Sequence, residues 1–474
     1  MPRYEEILAL FKRHGQEHVL AGWDKLFMDQ QDELLEDCAR VDFRWVAERW
    51  KEYESRQDSA VAASADIVPA PVVELPATDA EKTRERAALQ AGEELLRQGK
   101  VAAFLVAGGQ GTRLGFEGPK GCFPIGPVSG RTLFAWHAEQ ILARSKRYGV
   151  AIPWYIMTSC QNDRDTRQFF EEHNHFGLNK RDVFFFQQEM VPCLDLYGKL
   201  MLSSPSTLAM NPNGHGGSLH GLLHSGALKN MRERGIEVIS YFQVDNPLVT
   251  ICDPVFLGLH TMAGAEMSSK VLKKNIPSER IGVVCLRGGT PCVIEYMDMD
   301  EESMRAVDAN GRLRFWAGSI AIHMINVDFV ERVAQGPGLP WHQSLKKVPY
   351  FAGNRLIKPD AENAIKFETF VFDALPFTKS TVNMEVCRER EFAPVKNAEG
   401  TDSVASSRLL LSNYFCEWLA GAGISVPVPE LSALAKDAAR PVVEISPLYS
   451  LDGEELARKI KPEGFTLERV LLIG

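Results

Sequence analysis

The chain of 474 residues contains no G-K-[S/T] triplet, no H-E-x-x-H, no C-x-x-C pair and no run of about 18 or more apolar residues. The first absence excludes a Walker phosphate loop, and the second removes the helical zinc-protease signature. The nine cysteines, an odd number scattered from Cys38 to Cys416, point to reduced thiols and not to a disulfide framework. The missing apolar run excludes a membrane-spanning helix, and Met1-Pro2-Arg3-Tyr4-Glu5-Glu6 lacks the basic and apolar regions of a signal peptide, so a cytoplasmic location is expected. There is no excess of positive charge either: 53 Lys and Arg stand against 62 Asp and Glu, a formal balance of −9. That disfavours nucleic acid, and a polyanionic ligand has to be met by a local basic cluster. What remains, 45% hydrophobic and 24% charged residues, fits a soluble globular chain with a large core and two or three domains.

The most informative stretch is Leu105-Val106-Ala107-Gly108-Gly109-Gln110-Gly111-Thr112-Arg113-Leu114-Gly115, followed by Pro119-Lys120-Gly121. Val101 to Val106 is almost wholly apolar, as expected of a strand buried on both faces. It runs directly into glycines that let backbone N–H groups approach an anion, and Arg113 and Lys120 stand where phosphates would lie. The dinucleotide pattern G-x-G-x-x-G fails because Leu114 occupies the third glycine position.

Residues 3 to 54 carry apolar positions at helical spacing, among them Ile7, Leu8, Phe11, Val19, Leu20 and Trp23. Ser59 to Ala77, with Pro69, Pro71 and Pro76, reads as an extended linker, and Asp79 is placed to cap a helix running to Lys100. Strand and helix patterns then alternate: strand Val101–Val106, helix Thr132–Tyr148, strand Trp154–Thr158, helix Asp163–His173, strand Val183–Phe186, helix His220–Arg234 and strand Val238–Gln243. This alternation predicts an α/β fold, doubly wound, with a mostly parallel central sheet and ligands beyond the carboxyl ends of its strands. The glycine loop and Asp245 both fall at such ends. From about residue 260 to 400 alternating runs such as Gly282-Val283-Val284-Cys285 and Cys292-Val293-Ile294-Glu295-Tyr296 suit mixed or antiparallel strands, and a helix is expected over Arg408–Ala420. No internal repeat is evident.

The loop through Phe123-Pro124-Ile125-Gly126 resembles the signature of UDP-sugar pyrophosphorylases, the UTP:sugar-1-phosphate uridylyltransferase family. Pro153-Trp154-Tyr155-Ile156-Met157-Thr158-Ser159, Phe185-Phe186-Gln187-Gln188, Val244-Asp245-Asn246, Ile357-Lys358-Pro359-Asp360, Phe370-Val371-Phe372-Asp373 and Glu391-Phe392-Ala393-Pro394-Val395-Lys396-Asn397 are similar to family blocks in family order. Gly15-Gln16-Glu17-His18 and Glu444-Ile445-Ser446-Pro447-Leu448 resemble the UDP-N-acetylglucosamine branch, so the likeness spans nearly the full chain. It implies a Rossmann-like, nucleotidyltransferase-type fold with a helical N-terminal region over 1–98 (linker near 59–78), a catalytic domain over 99–404 and a small C-terminal domain over 405–474. It also implies UTP and a sugar 1-phosphate as substrates, pyrophosphate as a product, and Mg²⁺ or another divalent cation as cofactor.

Residue by residue, the resemblance implies that Arg113 and Lys120 hold the triphosphate and the departing pyrophosphate, that Lys396 neutralises the attacking sugar phosphate, and that Asp245 serves the metal. Such chemistry needs no covalent intermediate, only positioning and electrostatic stabilisation by amides, Arg, Lys and a divalent ion. Gly108, Gly109, Gln188 and Gly214 match uracil contacts; a side-chain amide offers one base edge both a donor and an acceptor. Gly282, Glu295 and Tyr296 match positions around the hexose, and Phe370 and Phe372 match aromatics near an N-acetyl pocket. Two positions depart from the acetylglucosamine branch: Gly214-His215-Gly216-Gly217 replaces Gly-Asn-Gly-Gly, and Ser319 replaces an asparagine after Ala317-Gly318. The histidine form resembles UDP-glucose and broad-specificity enzymes; the product the resemblance implies is UDP-N-acetylglucosamine, made from N-acetylglucosamine 1-phosphate, and a UDP-glucose or broad-specificity UDP-sugar enzyme stays open as the alternative. So do two other classes: a nucleotide-sugar-binding regulator without catalysis, and a glycosyltransferase using Asp298-Met299-Asp300, although the following Glu301-Glu302 reads as an exposed acidic loop. His220 and His224, at i and i+4 with His215 nearby, lack the partners of a zinc site.

Overall fold

The computed structural model describes residues 4–58, 67–426, 441–462, 465 and 469–474; the first part of the expected linker, 59–66, lies outside them. Two compact units interleave along the chain, one formed by residues 1–63, 188–218 and 339–373, the other by 64–187, 219–338 and 374–474.

The larger unit is built on a ten-stranded sheet. Its strands are β1 (Ile67–Pro69), β2 (Val101–Val106), β3 (Trp154–Thr158), β4 (Val183–Gln187), β5 (Val238–Gln243), β6 (Met267–Lys273), β7 (Val283–Arg287), β8 (Thr290–Ile294), β9 (Ala317–Asn326) and β10 (Asn383–Glu385). The order β4-β3-β2-β5 is parallel throughout, and antiparallel β9, β7 and β1 continue the sheet. Strand β8 pairs with β7, β6 with β9, and β10 runs parallel to β6. Strands β2, β3 and β5 are buried at all or nearly all positions, which is why they read as unbroken apolar runs and not as alternating ones.

Strand assignments in the parallel half agree with the sequence reading to within one residue; the helices show where local signals misled. The helix of residues 79–97 is capped by Thr78, not Asp79: the Thr78 hydroxyl accepts from Glu81 N and the Glu81 carboxylate takes Thr78 N in return, a capping box that places the start one residue earlier. The single helix expected over His220–Arg234 is two, Gly217–His224 and Ala227–Glu233, broken where Gly226 turns through φ +82°. The end of the expected linker is not loose chain, because Ile67–Pro69 pairs with β7 and Val73 bridges to Met384. The helix Val404–Gly421 and the strand Val442–Ile445 contribute Leu411, Phe415, Leu419, Val443 and Ile445 to the same buried cluster as β2 and β3. The fully buried Glu444 carboxylate accepts Val128 N and Ser129 N and pairs with Arg131, tying the chain's late segment to the loop that follows the glycines.

In the smaller unit, helices Tyr4–Arg13, Met28–Ala39 and Phe43–Asp58 bury Ile7, Phe11, Leu34, Leu35 and Phe43 with Leu194, Leu200, Ile365 and Phe367. Gln16 hydrogen-bonds Gly198 O and Leu200 N, and the His18 ring meets Leu200 O, so the N-terminal Gly-Gln-Glu-His block is a packing device.

One buried histidine stands under the tip of β5. His137, on helix Leu133–Tyr148, is 0% exposed; its Nε2–H donates to Val244 O, and Nδ1 has no partner among the described residues. Burial drives its pKa from 6.5 down to about 4, although the Val244 bond and the Asp245 charge oppose the shift. The unfolded chain therefore binds a proton that the folded chain does not between about pH 6.5 and 4, so this part of the stability is whole above pH 6.5 and lost as pH falls through that window. Replacing His137 by Gln keeps a donor for Val244 and removes the proton. Denaturant unfolding at pH 7 and pH 5 is expected to give a shallower pH slope for His137→Gln, by up to about 1.4 kcal/mol per pH unit; equal slopes would place the loss elsewhere.

Candidate active site

Strand β2 delivers the glycine loop and its neighbour β5 delivers Asp245, so the parallel pairing of the two brings both to one end of the sheet. The loop's carbonyls are occupied from behind. Asn162 Nδ2 donates to Ala107 O and Gly109 O, Ser159 Oγ to Gly108 O, and Lys120 N to Gly109 O. Arg113 sits exposed on the single turn Thr112–Leu114, which Gly115 ends at φ +68°, a left-handed position glycine takes without strain.

Lys120 Nζ lies 3.0 Å from Asp245 Oδ2, with only 15% and 14% of the two side chains exposed. Burial pushes the Asp245 pKa up, but the charges of Lys120 and Lys396 outweigh it and hold the carboxyl below the usual range. Asp245 is thus an ionised oxygen donor between two cations. Lys396 follows a backbone tie from Val395 N to Asp245 O of 2.8 Å; its ammonium lies 3.9 Å from Asp402 and over the Phe392 ring. Of the predicted charged residues, the structure brings Lys120, Asp245 and Lys396 together and leaves Arg113 on the loop's exposed turn.

A second cluster in the same unit gathers the predicted hexose residues Gly282, Glu295 and Ser319. Ser319 N donates to Gly282 O at 2.8 Å, and a side chain at Gly282 would come within 2.9 Å of Glu295 Oε1. Ser319 precedes a register shift in β9, where Ala321 has φ +54°; such bulges re-aim side chains. The Ser319 hydroxyl is buried and makes no hydrogen bond among the described residues. Tyr296 lies next to Glu295, half-buried just beyond the end of β8.

Gln188, Gly214, His215, Phe370 and Phe372 belong to the smaller unit, whereas Gly108 and Gly109 belong to the larger. Gln188 is 8% exposed. The Gly214 loop lies against the backbone of Thr369 and Phe370: Thr369 N and Oγ1 donate to Asn213 O, Gly216 N donates to Thr369 O, and Val371 N donates to His215 Nδ1. The His215 ring packs on Phe370 at 5.2 Å and Phe372 at 5.7 Å. Phe370 precedes and Phe372 lies within a 3₁₀ segment, Val371–Phe377, so neither is the core-facing strand residue that an i, i+2 aromatic pair suggests.

Sequence reasoning missed His342 and Asp373. His342 stacks on Phe370 at 4.3 Å, and its Nε2 is 2.7 Å from the Asp373 carboxylate. Asp373 stood in a quoted motif, but a histidine 31 positions away leaves no local signature. The His220 and His224 rings, 3.9 Å apart on helix Gly217–His224, pack on each other, and among the described residues no group of three His, Cys, Asp or Glu side chains is arranged to hold a metal. Asp300 caps the helix Glu301–Arg305 through Ser303 N, which gives the Asp298-Met299-Asp300 motif a structural use.

Residues 48–418 match the family described as UTP–glucose-1-phosphate uridylyltransferase. Over 472 residues the chain is 36% identical to UDP-N-acetylglucosamine diphosphorylase 1 of Arabidopsis thaliana, an alignment covering 95% of this chain and 90% of that protein. It is 34% identical over 468 residues to the UDP-N-acetylglucosamine pyrophosphorylase of Saccharomyces cerevisiae, covering 95% and 96% of the two chains. Among solved structures, the uridine diphosphate N-acetylglucosamine pyrophosphorylase of Trypanosoma brucei, crystallised with an inhibitor, superposes with a TM-score of 0.83 at 26% identity and covers 100% of this chain and 98% of its own.

The Gly214 loop yields a direct test of this geometry. Gly214 has φ +81°, and a Cβ there would meet Thr369 O at 2.4 Å. Gly214→Ala is expected to cost roughly 1–3 kcal/mol in denaturant unfolding; an unchanged midpoint would mean the loop does not sit against Thr369 in solution.

Proposed function

The chain belongs to the UTP–glucose-1-phosphate uridylyltransferase family, and on that premise we propose that it transfers the uridylyl group of UTP to N-acetylglucosamine 1-phosphate, giving UDP-N-acetylglucosamine and pyrophosphate. The observation that carries this reading is the Lys120–Asp245 pair at the carboxyl end of two adjacent parallel strands, beside a glycine loop and within the electrostatic reach of Lys396. An oxygen of the sugar phosphate attacks the α-phosphorus of UTP in line, one P–O bond forming as the bond to pyrophosphate breaks. Little covalent work falls to the protein, and charge on the equatorial oxygens and the leaving group is what it has to stabilise.

Lys120 and Arg113 hold the triphosphate and take up the charge of the departing pyrophosphate, while Lys396 neutralises and orients the attacking phosphate. Asp245 fits a hard divalent cation: it is a single ionised oxygen donor, the kind of protein contribution that suits Mg²⁺ filling its remaining positions with substrate phosphates and water. When bound, Mg²⁺ would offset the repulsion between two phosphate-bearing substrates in a chain of formal charge −9. In the larger unit, Gly108 and Gly109 are assigned to uracil and Glu295, Gly282, Tyr296 and Ser319 to the hexose hydroxyls; in the smaller unit, Gln188 and Gly214 are assigned to uracil and His215, Phe370 and Phe372 to the acetyl group. Among the described residues no helix is long and apolar enough to cross a membrane, and a cytoplasmic enzyme is part of the reading.

Pyrophosphate release, measured with UTP and a panel of sugar 1-phosphates, tests the reaction and the sugar together. N-acetylglucosamine 1-phosphate is expected to be preferred, and excess chelator to abolish turnover. Glucose 1-phosphate is expected to be poorer but detectable, because an apolar pocket gains only about 1–3 kcal/mol of discrimination per small group. A strong preference for glucose or galactose 1-phosphate would overturn the sugar assignment and leave uridylyl transfer standing; full activity in chelator would overturn the metal.

The phosphate contacts are tested separately. Lys120→Ala and Arg113→Ala are each expected to lower turnover about a hundredfold or more, with a smaller effect on UTP binding, as when a preorganised donor to a transition-state anion is removed. A near-normal rate in either variant would remove that residue from the mechanism.

A further inference from the structure

Lys270 lies in β6 with 0% of its surface exposed, in a strand buried at every position but its last. Its ammonium is 2.6 Å from the Glu391 carboxylate and 2.7 Å from that of Asp253. Burial opposes the Lys270 charge, but the two carboxylates outweigh it and hold its pKa above the ordinary value. Asp253 in turn caps the helix Pro254–Met262 through Val255 N. A buried ion group of this kind rarely adds stability over apolar residues of the same shape. What the group holds in place is therefore the informative question.

Glu391 opens the segment that ends in Lys396, and that segment is fastened to the Asp245 loop at every second residue. The Glu391 carboxylate accepts both Thr250 N and Thr250 Oγ1 at 2.9 Å. The Glu391 carbonyl accepts Asn246 Nδ2 at 2.8 Å, Asn246 Oδ1 accepts Ala393 N at 3.0 Å, and Val395 N donates to Asp245 O at 2.8 Å. The side chain of Asn246, the residue after Asp245, thus bridges residues 391 and 393. Lys270 fixes Glu391 from the sheet side. The two charged groups that face the reacting phosphates are carried on two strips of backbone, and this network is what ties one strip to the other.

We propose that Asn246, Glu391 and Lys270 are positioning residues for uridylyl transfer, holding the Lys396 strip in register with the Asp245 loop so that both charges meet the phosphates at once. The proposal rests on the roles given above to Asp245 and Lys396. Misplacing a catalytic group by about 1 Å can cost on the order of a hundredfold in rate, which is the scale at which loss of the network is read.

A double-mutant cycle in the full chain tests it. Asn246→Ala and Glu391→Gln are each made in the wild-type and in the Lys396→Ala background, and kcat for pyrophosphate release is measured with the KM for UTP as the control for an intact nucleotide site. In the wild-type background each change is expected to lower kcat by about tenfold to a hundredfold with little change in that KM. In the Lys396→Ala background the same changes are expected to cost less than about threefold, because a misplaced lysine and a missing one are equivalent. Equal losses in both backgrounds, or no loss in the first, overturn the proposal. A Lys396→Ala variant that itself turns over normally instead overturns the role of Lys396. Thr250→Val, which removes only the hydroxyl bond to Glu391 and keeps the side-chain shape, repeats the cycle with a variant that folds even where the others do not; a smaller loss with the same dependence on Lys396 is expected, and one independent of Lys396 overturns the proposal.

Discussion

An acidic chain that handles two phosphate-bearing substrates has to concentrate positive charge locally, and the Lys120–Asp245 ion pair is the point from which that is organised. A carboxylate as enclosed as Asp245 does not stay ionised unaided, since burial favours the neutral acid. Lys120 at 3.0 Å and the nearby charge of Lys396 reverse that preference. The pair also joins the two elements that matter most, the turn after the glycine loop and the tip of β5. Because β2 and β5 are neighbours and parallel, Val106 stands opposite Gln243, and both chains leave the sheet at one end.

Behind the charged groups stands a layer of buried polar side chains whose partners are backbone atoms. Asn162 and Ser159 take the carbonyls of the glycine loop, His137 takes Val244 O, and Asn246 takes Glu391 O. Each such bond satisfies a group that would be costly to bury unpaired and at the same time fixes a loop that has no ladder of its own to hold it. The consequence for chemistry is preorganisation: charges aimed at a transition state help only if they need not move to meet it.

The residues proposed to face the sugar rest on different physics in the two units. In the larger, a bulge in β9 and a glycine at 282 set Ser319 and Glu295 close together, a polar arrangement suited to hydroxyls. In the smaller, His215, His342, Phe370 and Phe372 form a stacked group, with burial and the neighbouring His342 lowering the pKa of His215 to about 4, so that it is neutral at pH 7. A neutral imidazole against two phenyl rings suits an apolar substituent and tolerates its absence.

The chain by itself determined the parallel half of the sheet and the glycine loop at the carboxyl end of β2. Strands buried on both faces must be continuously apolar, and a backbone that wraps phosphate must be rich in glycine with Arg and Lys beside it; both constraints act over a few neighbouring positions. The break at Gly226 and the cap at Thr78 were local too, the first decided by a left-handed glycine and the second by a capping box that competes with an equally plausible neighbour. Only the tertiary structure decided that residues 1–63 pack with 188–218 and 339–373, that His342 meets Asp373, and that Lys270, which sequence alone leaves as an ordinary strand lysine, is buried between Asp253 and Glu391. The reason is range: Lys270 and Glu391 are 121 positions apart, and no periodicity or spacing within either segment carries information about the charge the other will bury beside it.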